Sequence, residues 1–269
     1  MAYRTVSESG IDENVNISLS RGQVFGHGVV TLFGENPAVD GALETIWPVG
    51  GLYSYIPTAQ TVDVSSSSTA DTAAGTGLRT ARVFGLDGNY LPVQEDVTLS
   101  GQTPVETTNA FIRVFRITGL SAGSGLTNAG NIYVSFGATI TAGVPNGNIV
   151  SYMDTGDGQS NQLTYTVPAG YTGYICYQEY SAQKVSQALD VKVYTRLVNG
   201  GDDVFRVRRA YGLLGGTITE NLPFWLQLPA KTDIEVRAIA AVGTLPVHGE
   251  MQILLVNDID ANPAINFEV

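Results

Sequence analysis

Asp154-Thr155-Gly156 spells the tripeptide that carries the aspartic-protease carboxylate, a chemistry in which two copies must meet and share one proton. One copy occurs, and it lies in the hydrophilic run MDTGDGQSNQ, whereas the protease motif needs apolar strands on both sides. The run reads as a loop. Asp154, Asp157 and nearby carbonyls are hard oxygen donors of the kind Ca²⁺ takes, without the spacing or closing Glu of an EF-hand. Asp202-Asp203 is a comparable weak cation candidate and reads as a solvated turn. His27 and His248 stand far apart, with no His-x-x-x-His or Cys-x-x-Cys spacing, so zinc has no ligand set.

Cys176 is the single cysteine, set in the apolar run Tyr174-Ile175-Cys176-Tyr177, and it reads as a small buried core residue rather than a nucleophile. Gly75-Thr76-Gly77 and Gly123-Ser124-Gly125 are not followed by Gly-Lys-Ser/Thr and open no helix, so neither makes a phosphate cradle. No Gly-x-Ser-x-Gly elbow falls in a strand-to-helix context. No catalytic, cofactor-binding or metal-binding residue is therefore assigned, and the expectation is a protein that is not an enzyme and carries no cofactor. Trp47 beside Pro48 is expected to anchor the end of a core, and the 13 Tyr, 9 Phe and 2 Trp to serve packing and subunit contacts.

The elements that hold these residues read as strands. From Ile46 to Gly101 the chain alternates short runs rich in Val, Thr, Tyr and Ser with Gly, Pro, Asn or Asp clusters. Residues 79–84, the turn Gly85-Leu86-Asp87-Gly88-Asn89 and residues 95–99 predict a hairpin, with Asp-Gly supplying the positive φ of a tight turn. Further strands are expected at 60–66, 111–120, 131–136, 163–167 and 173–181, joined by Gly-rich loops at 70–77, 121–130 and 142–148. Two phrases echo one another as strand, Pro-Ala turn, strand: Val167-Pro168-Ala169-Gly170 and Leu228-Pro229-Ala230-Lys231. After the second, Ile234, Val236 and Ala238 alternate with Asp233, Glu235 and Arg237, the pattern of a sheet with one wet face. Asn199-Gly200 predicts a second hairpin between 190–197 and 204–211, residues 249–257 a last strand, and 181–189 at most a turn or two of helix.

The expected fold is all-β: an antiparallel β-sandwich or jelly roll with Gly-rich loops and an extended N-terminal arm. Residues 1–40 are assigned to the arm, with an ordinary first strand as the alternative. Residues 41–257 form the sandwich, divisible near 185, and residues 258–269 form a C-terminal tail. The 269 residues suffice for a large core, and only 14% are charged, so uncharged polar groups must cover the surface. A net charge of -11 disfavours a polyphosphate partner, and alternate residues of Arg206-Val207-Arg208-Arg209 point to opposite strand faces rather than forming one basic stripe. No apolar run approaches the ~18 residues of a membrane span, and no Sec address is read at the start.

The phrases Trp47-Pro48-Val49-Gly50-Gly51-Leu52-Tyr53, Ser65–Ser68 with Asp71-Thr72-Ala73-Ala74-Gly75-Thr76-Gly77, Gly85-Leu86-Asp87, Val97-Thr98-Leu99-Ser100-Gly101-Gln102 and residues 231–238 resemble structural proteins of tailed bacteriophages, notably marine and cyanobacterial ones. The resemblance runs from Trp47 to Asn257 and implies a virion component, without transferring any site residue. The expectation drawn from it is a capsid decoration or cement protein, trimeric, partnered by the major capsid protein or other virion proteins, assembled in the host cytoplasm without direct nucleic-acid or membrane contact. A receptor- or glycan-binding tail spike or fibre, or a head-tail adaptor or tail component, are the alternatives.

Overall fold

In the computed structural model, residues 4–6, 12–183, 187–198 and 202–258 are described. The chain is almost all β, 58% strand and 3% helix, and the sheets are antiparallel. The α-helix among these residues, Val15–Ser20, was not expected from the sequence. The principal strands in chain order are β1 (His27–Val39), β2 (Asp63–Ser66), β3 (Leu78–Leu86), β4 (Pro92–Thr98), β5 (Arg113–Ala122), β6 (Ile132–Ser135) and β7 (Ile149–Met153). They continue with β8 (Thr164–Thr166), β9 (Tyr171–Ala182), β10 (Ala188–Leu197), β11 (Asp202–Leu214), β12 (Gly216–Leu228), β13 (Thr232–Ala240) and β14 (Leu245–Asn257).

Two sheets are drawn from β1 and from β8 onward. The first has the order β12-β9-β14-β1; the second has the order β8-β13-β10-β11, with Glu44–Thr45 paired to β13 as well. Their inward residues form one core that includes Leu32, Ile175, Val191, Ile234, Val236 and Ile253. Residues on both sides of position 185 share it. In outline the sheets stand like four propeller blades. A propeller builds its blades as repeated units around a channel, whereas here successive strands from β8 to β14 are dealt between two sheets that face each other across one core.

Between β1 and β8 the chain builds a second core from β2 to β7, with sheets β7-β6-β2 (extended by Val105–Glu106) and β4-β3-β5. Trp47, Tyr53, Val64, Val83, Phe111 and Ile132 belong to it. The expected β3–β4 hairpin forms, pairing Leu86 with Pro92. Its positive φ falls on Tyr90, not on the Asp-Gly pair. Asp87 instead accepts the N–H groups of Asn89 and Leu91 through its side chain at 2.8 and 3.0 Å, and packing draws Tyr90 into the interior. The two echoing phrases lie side by side: Lys231 N–H donates to Val167 O at 2.8 Å, and Val167 N–H to Thr232 O at 3.0 Å. β10 and β11 pair as the second hairpin. Its turn, Asn199-Gly200, lies outside the described residues, as do 184–186 of the stretch read as helical turn and nearly all of the C-terminal tail; Ser181 and Ala182 close β9, and Ala188 and Leu189 open β10.

Of the two readings for the start of the chain, residues 27–39 take the ordinary strand and not the arm: they form edge strand β1, paired with β14 along most of its length. Glycines interrupt this run, and two other readings change. Gly34 is where the backbone meets the rest of the fold, since a Cβ there would lie 2.8 Å from Ile46 O and from Leu163 N. The supposed wet face of β13 is dry: Asp233 and Glu235 are fully buried, because the second core's loops cover it. Cys176 is half-buried rather than buried, with its Sγ–H reaching Gln252 O at 3.3 Å.

Candidate functional site

The sequence candidates do not converge. Asp154 accepts the Tyr152 hydroxyl at 2.8 Å, and Asp157 accepts Asn161 Nδ2 at 2.9 Å. Partial burial, and then the charge of Asp154, push the Asp157 carboxyl up. Asp203 is exposed on β11. His27 reaches the Phe25 carbonyl through Nδ1 at 2.8 Å, while His248 lies 3.7 Å from Glu35 on the outer face of the first sheet. Burial raises the Cys176 thiol. Among the described residues no group of three or more His, Cys, Asp or Glu is placed to hold a metal ion. Gly119-Leu120-Ser121-Ala122-Gly123 spells Gly-x-Ser-x-Gly, but most of it runs along β5, and Ser121 Oγ hydrogen-bonds Thr80 Oγ1 at 2.6 Å. Trp47 is buried as expected, its Nε1–H shared between the carbonyls of Gly50 and Gly51 at 3.0 and 3.2 Å.

The Gly-rich loops are organised by Asp71, a residue the motif search passed over. Fully buried, it accepts Leu78 N–H at 2.7 Å, Ala129 N–H at 2.8 Å, Gly130 N–H at 3.0 Å and the Ser66 hydroxyl at 2.6 Å. One carboxylate thus ties residues 70–78 to 128–130. Gly77 leaves it room, as a Cβ there would stand 2.2 Å from Asp71 Oδ1.

The densest chemistry sits where the two cores meet. Asp233 on β13 takes Arg113 of β5 through a fork, Nε at 2.9 Å and Nη2 at 3.0 Å. It also takes Arg196 of β10 (Nε 3.1 Å, Nη2 2.5 Å) and the Thr166 hydroxyl at 2.6 Å. Two residues on, Glu235 takes Arg237 through Nε and Nη2, both at 2.9 Å, with Thr45 Oγ1 at 2.5 Å and the Tyr55 hydroxyl at 3.2 Å. The guanidinium of Arg196 lies over Tyr55 and Phe205, and that of Arg237 over Tyr194 and Phe205, at 4.5–4.7 Å from ring centroids. Burial pulls Arg113 down, but the hydrogen bonds and charge of Asp233 outweigh it and the net shift is upward. Burial first, then the charge of Glu235, raises Tyr55 well above the phenol range. Every carboxylate oxygen in this cluster is already claimed, so it has no free base and no open ligand position. Its chemistry is cohesive, holding the second core onto β13.

What remains open is surface. A cleft of about 410 Å³ lies between the β3–β4 hairpin and β8, walled by Phe84, Pro92, Phe115, Tyr165 and Pro168. A smaller one of about 180 Å³ on the outer face of the first sheet contains Phe33, His248, Glu179 and Glu250, the two glutamates directly opposite each other on β9 and β14. At the far edge, Phe224 is 87% and Trp225 49% exposed. No described helix is long and apolar enough to cross a membrane.

No family model matches the chain, and no curated protein matches it. Among solved structures it has faint similarity to capsids of infectious bursal disease virus. The Gt-strain structure is 12% identical, with 88% of this chain and 74% of that chain covered and a TM-score of 0.26. The VP2 subviral particle is 12% identical, covering 87% and 73%, with a TM-score of 0.25. The T13 viral particle is 12% identical, covering 86% and 70%, with a TM-score of 0.26. At these scores the likeness carries no argument.

Proposed function

We propose that this chain is a non-enzymatic structural protein of a virus particle, located on the capsid, where it binds across subunit junctions and stabilises the shell as a decoration protein does. The observation that carries the reading is strand order. Taking β1 and then β8 to β14 as eight successive strands, one sheet reads first, eighth, third, sixth (β1-β14-β9-β12), and its partner reads second, seventh, fourth, fifth (β8-β13-β10-β11). That interleaving, two Greek keys folded into facing four-stranded sheets, is a jelly roll, an architecture used by capsid and lectin domains. The second core is then an insertion between the first two jelly-roll strands.

The cohesive chemistry at the junction of the cores supports a mechanical role. Asp233 and Glu235 are matched by arginines of their own chain, which fits a part that holds its shape under load. Contact free energy repeated over many copies would stabilise a closed shell against internal pressure. The test is a count of copies in purified particles by quantitative mass spectrometry, with rebinding of the purified chain to stripped shells. Copy numbers scaling with the shell protein and saturable rebinding are expected. Absence from particles overturns the proposal, and a few copies per particle would assign the chain to a tail or head-closure ring instead.

A further inference from the structure

Edge strand β12 contains the widest of the irregularities in its sheet. Ile175 on β9 faces Leu226, yet Tyr177 faces Asn221, so residues 222–225 (Leu-Pro-Phe-Trp) stand opposite Cys176 alone. Pro223 has no N–H to give a ladder. Leu222 turns into the core, while Phe224 and Trp225 project into solvent. Two neighbouring large aromatics exposed on a bulge form a knob, and aromatic residues of this kind are the usual anchors of protein interfaces.

The same molecule offers a matching hollow. The cleft of about 410 Å³ walled by Phe84, Pro92, Phe115, Tyr165 and Pro168 is apolar and of a size to take one or two aromatic rings. It cannot take its own knob. Tyr165 lies on β8, one edge of the second sheet, whereas β12 meets β11 at the other edge, as the Tyr211–Glu220 hydrogen bond shows. Three strand spacings of about 4.8 Å, roughly 14 Å, separate the two edges. Charge runs the same way: β11, beside the knob, carries the exposed Arg206 and Arg208, and β4, beside the cleft, carries Glu95, with Asp96 already paired to Arg82.

We infer that the Phe224–Trp225 knob of one copy seats in the Phe84/Phe115/Tyr165 cleft of a second copy of this chain, a head-to-tail contact. Such an interface uses two different patches, so it propagates and closes into rings when the rotation allows. The inference deepens the structural reading above, and rests on it, by naming the surface through which copies join.

The experiment uses complementary half-blocked subunits. Phe224→Asp removes the knob and leaves the cleft, whereas Val93→Trp fills the cleft, which Val93 also lines, and leaves the knob. In sedimentation velocity the unmodified chain is expected to associate with concentration, and each variant alone to associate at least about thirtyfold more weakly. An equimolar mixture of the two should form dimers and nothing larger, because each pair has one working knob and one working cleft. Misfolded subunits could not complement in this way. As an independent reading, a photo-crosslinker at position 224 of an otherwise unaltered, isotope-mixed sample should capture peptides from residues 84–94 or 165–168 of the other copy. A monomeric unmodified chain, variants that associate as it does, a mixture that stays monomeric, or crosslinks elsewhere would each overturn the inference. If this contact is confirmed and the chain is absent from particles, the virion reading alone fails; if the chain is abundant in particles and the half-blocked variants associate normally, the interface alone fails.

Discussion

Asp233→Asn is the most demanding perturbation of this fold. The carboxylate is fully buried and receives five hydrogen bonds, four of them from Arg113 and Arg196. Asparagine keeps the volume but removes the charge and turns an amide donor toward a guanidinium. Arg113, 5% exposed at its side chain, is then a buried cation without a counterion. Breaking a buried pair by neutralising one partner costs about 3–5 kcal/mol, most of it the desolvation of the partner left behind. Arg196, at 19%, can recover some hydration and sets the value within that range rather than above it. At about 2–4 °C per kcal/mol for a chain of this size, the unfolding midpoint should fall by about 6–20 °C in differential scanning calorimetry. Arg113→Met should cost a comparable amount, and the double variant little more than either single change, a coupling of about 2 kcal/mol or greater. An Asp233→Asn loss below about 1 kcal/mol, or additive costs, would refute the view that this cluster fastens the second core to β13.

Gly34→Ala should destabilise by about 1–3 kcal/mol in denaturant titration, since its Cβ would overlap Ile46 O and Leu163 N, whereas Gly41→Ala, facing open space, should be neutral or slightly stabilising. Asp71→Asn sets an amide donor against backbone N–H groups and should cost about 2–4 kcal/mol, with limited proteolysis opening first within residues 70–78 and 121–130. Tyr53 and Tyr180 are buried, and burial raises each pKa in the folded state. Their contribution is therefore complete below the ordinary phenol value near 10 and is lost as pH rises above it, so a share of the tyrosinate absorbance at 295 nm should appear only in the step in which the chain unfolds; titration of all 13 tyrosines in a still folded chain would contradict their burial.

The strands were legible because their signals are local. β3, β4, β9 and β13 fall within a few residues of where alternation and turn residues place them. Errors arose wherever a distant segment decides the outcome. Asp233, Glu235 and Arg237 alternate with Ile234 and Val236 as an amphipathic strand should, and no local pattern reveals that residues 45–55 and Arg113, which meet that polar side, cover it. Gly34 looks like a strand breaker until the approach of Leu163 is known. β7 and the first part of β12 were missed: Ile149–Met153 is five residues set between two turn-rich runs, 142–148 and 154–158, that read as continuous loop, and Gly216–Leu228 contains Asn-Leu-Pro in its middle. Asp71 could have been found, since a carboxylate set before a run of Ser, Thr and Gly residues needs a partner, and backbone N–H groups are the commonest supply.

The placement of the second core between β1 and β8 also decides which surfaces stay open. By burying the outward side of β13 under Tyr55 and Arg113, it removes the polar side of that strand from solvent. It creates in exchange the aromatic cleft between the β3–β4 hairpin and β8, which neither core would possess alone. The opposite edge, β11 with β12, receives no such cover, and it is there that Val204, Phe224 and Trp225 stay exposed. A long uncovered edge invites indiscriminate strand pairing. The bulge at residues 222–225 and the arginines of β11 work against that on both strands, leaving side-chain insertion as the contact that edge favours. The hollow at one edge therefore follows from a single topological event, the placement of the second core, and a Val93→Trp subunit closes that hollow from β4 while leaving β1 and β8 to β14 unaltered.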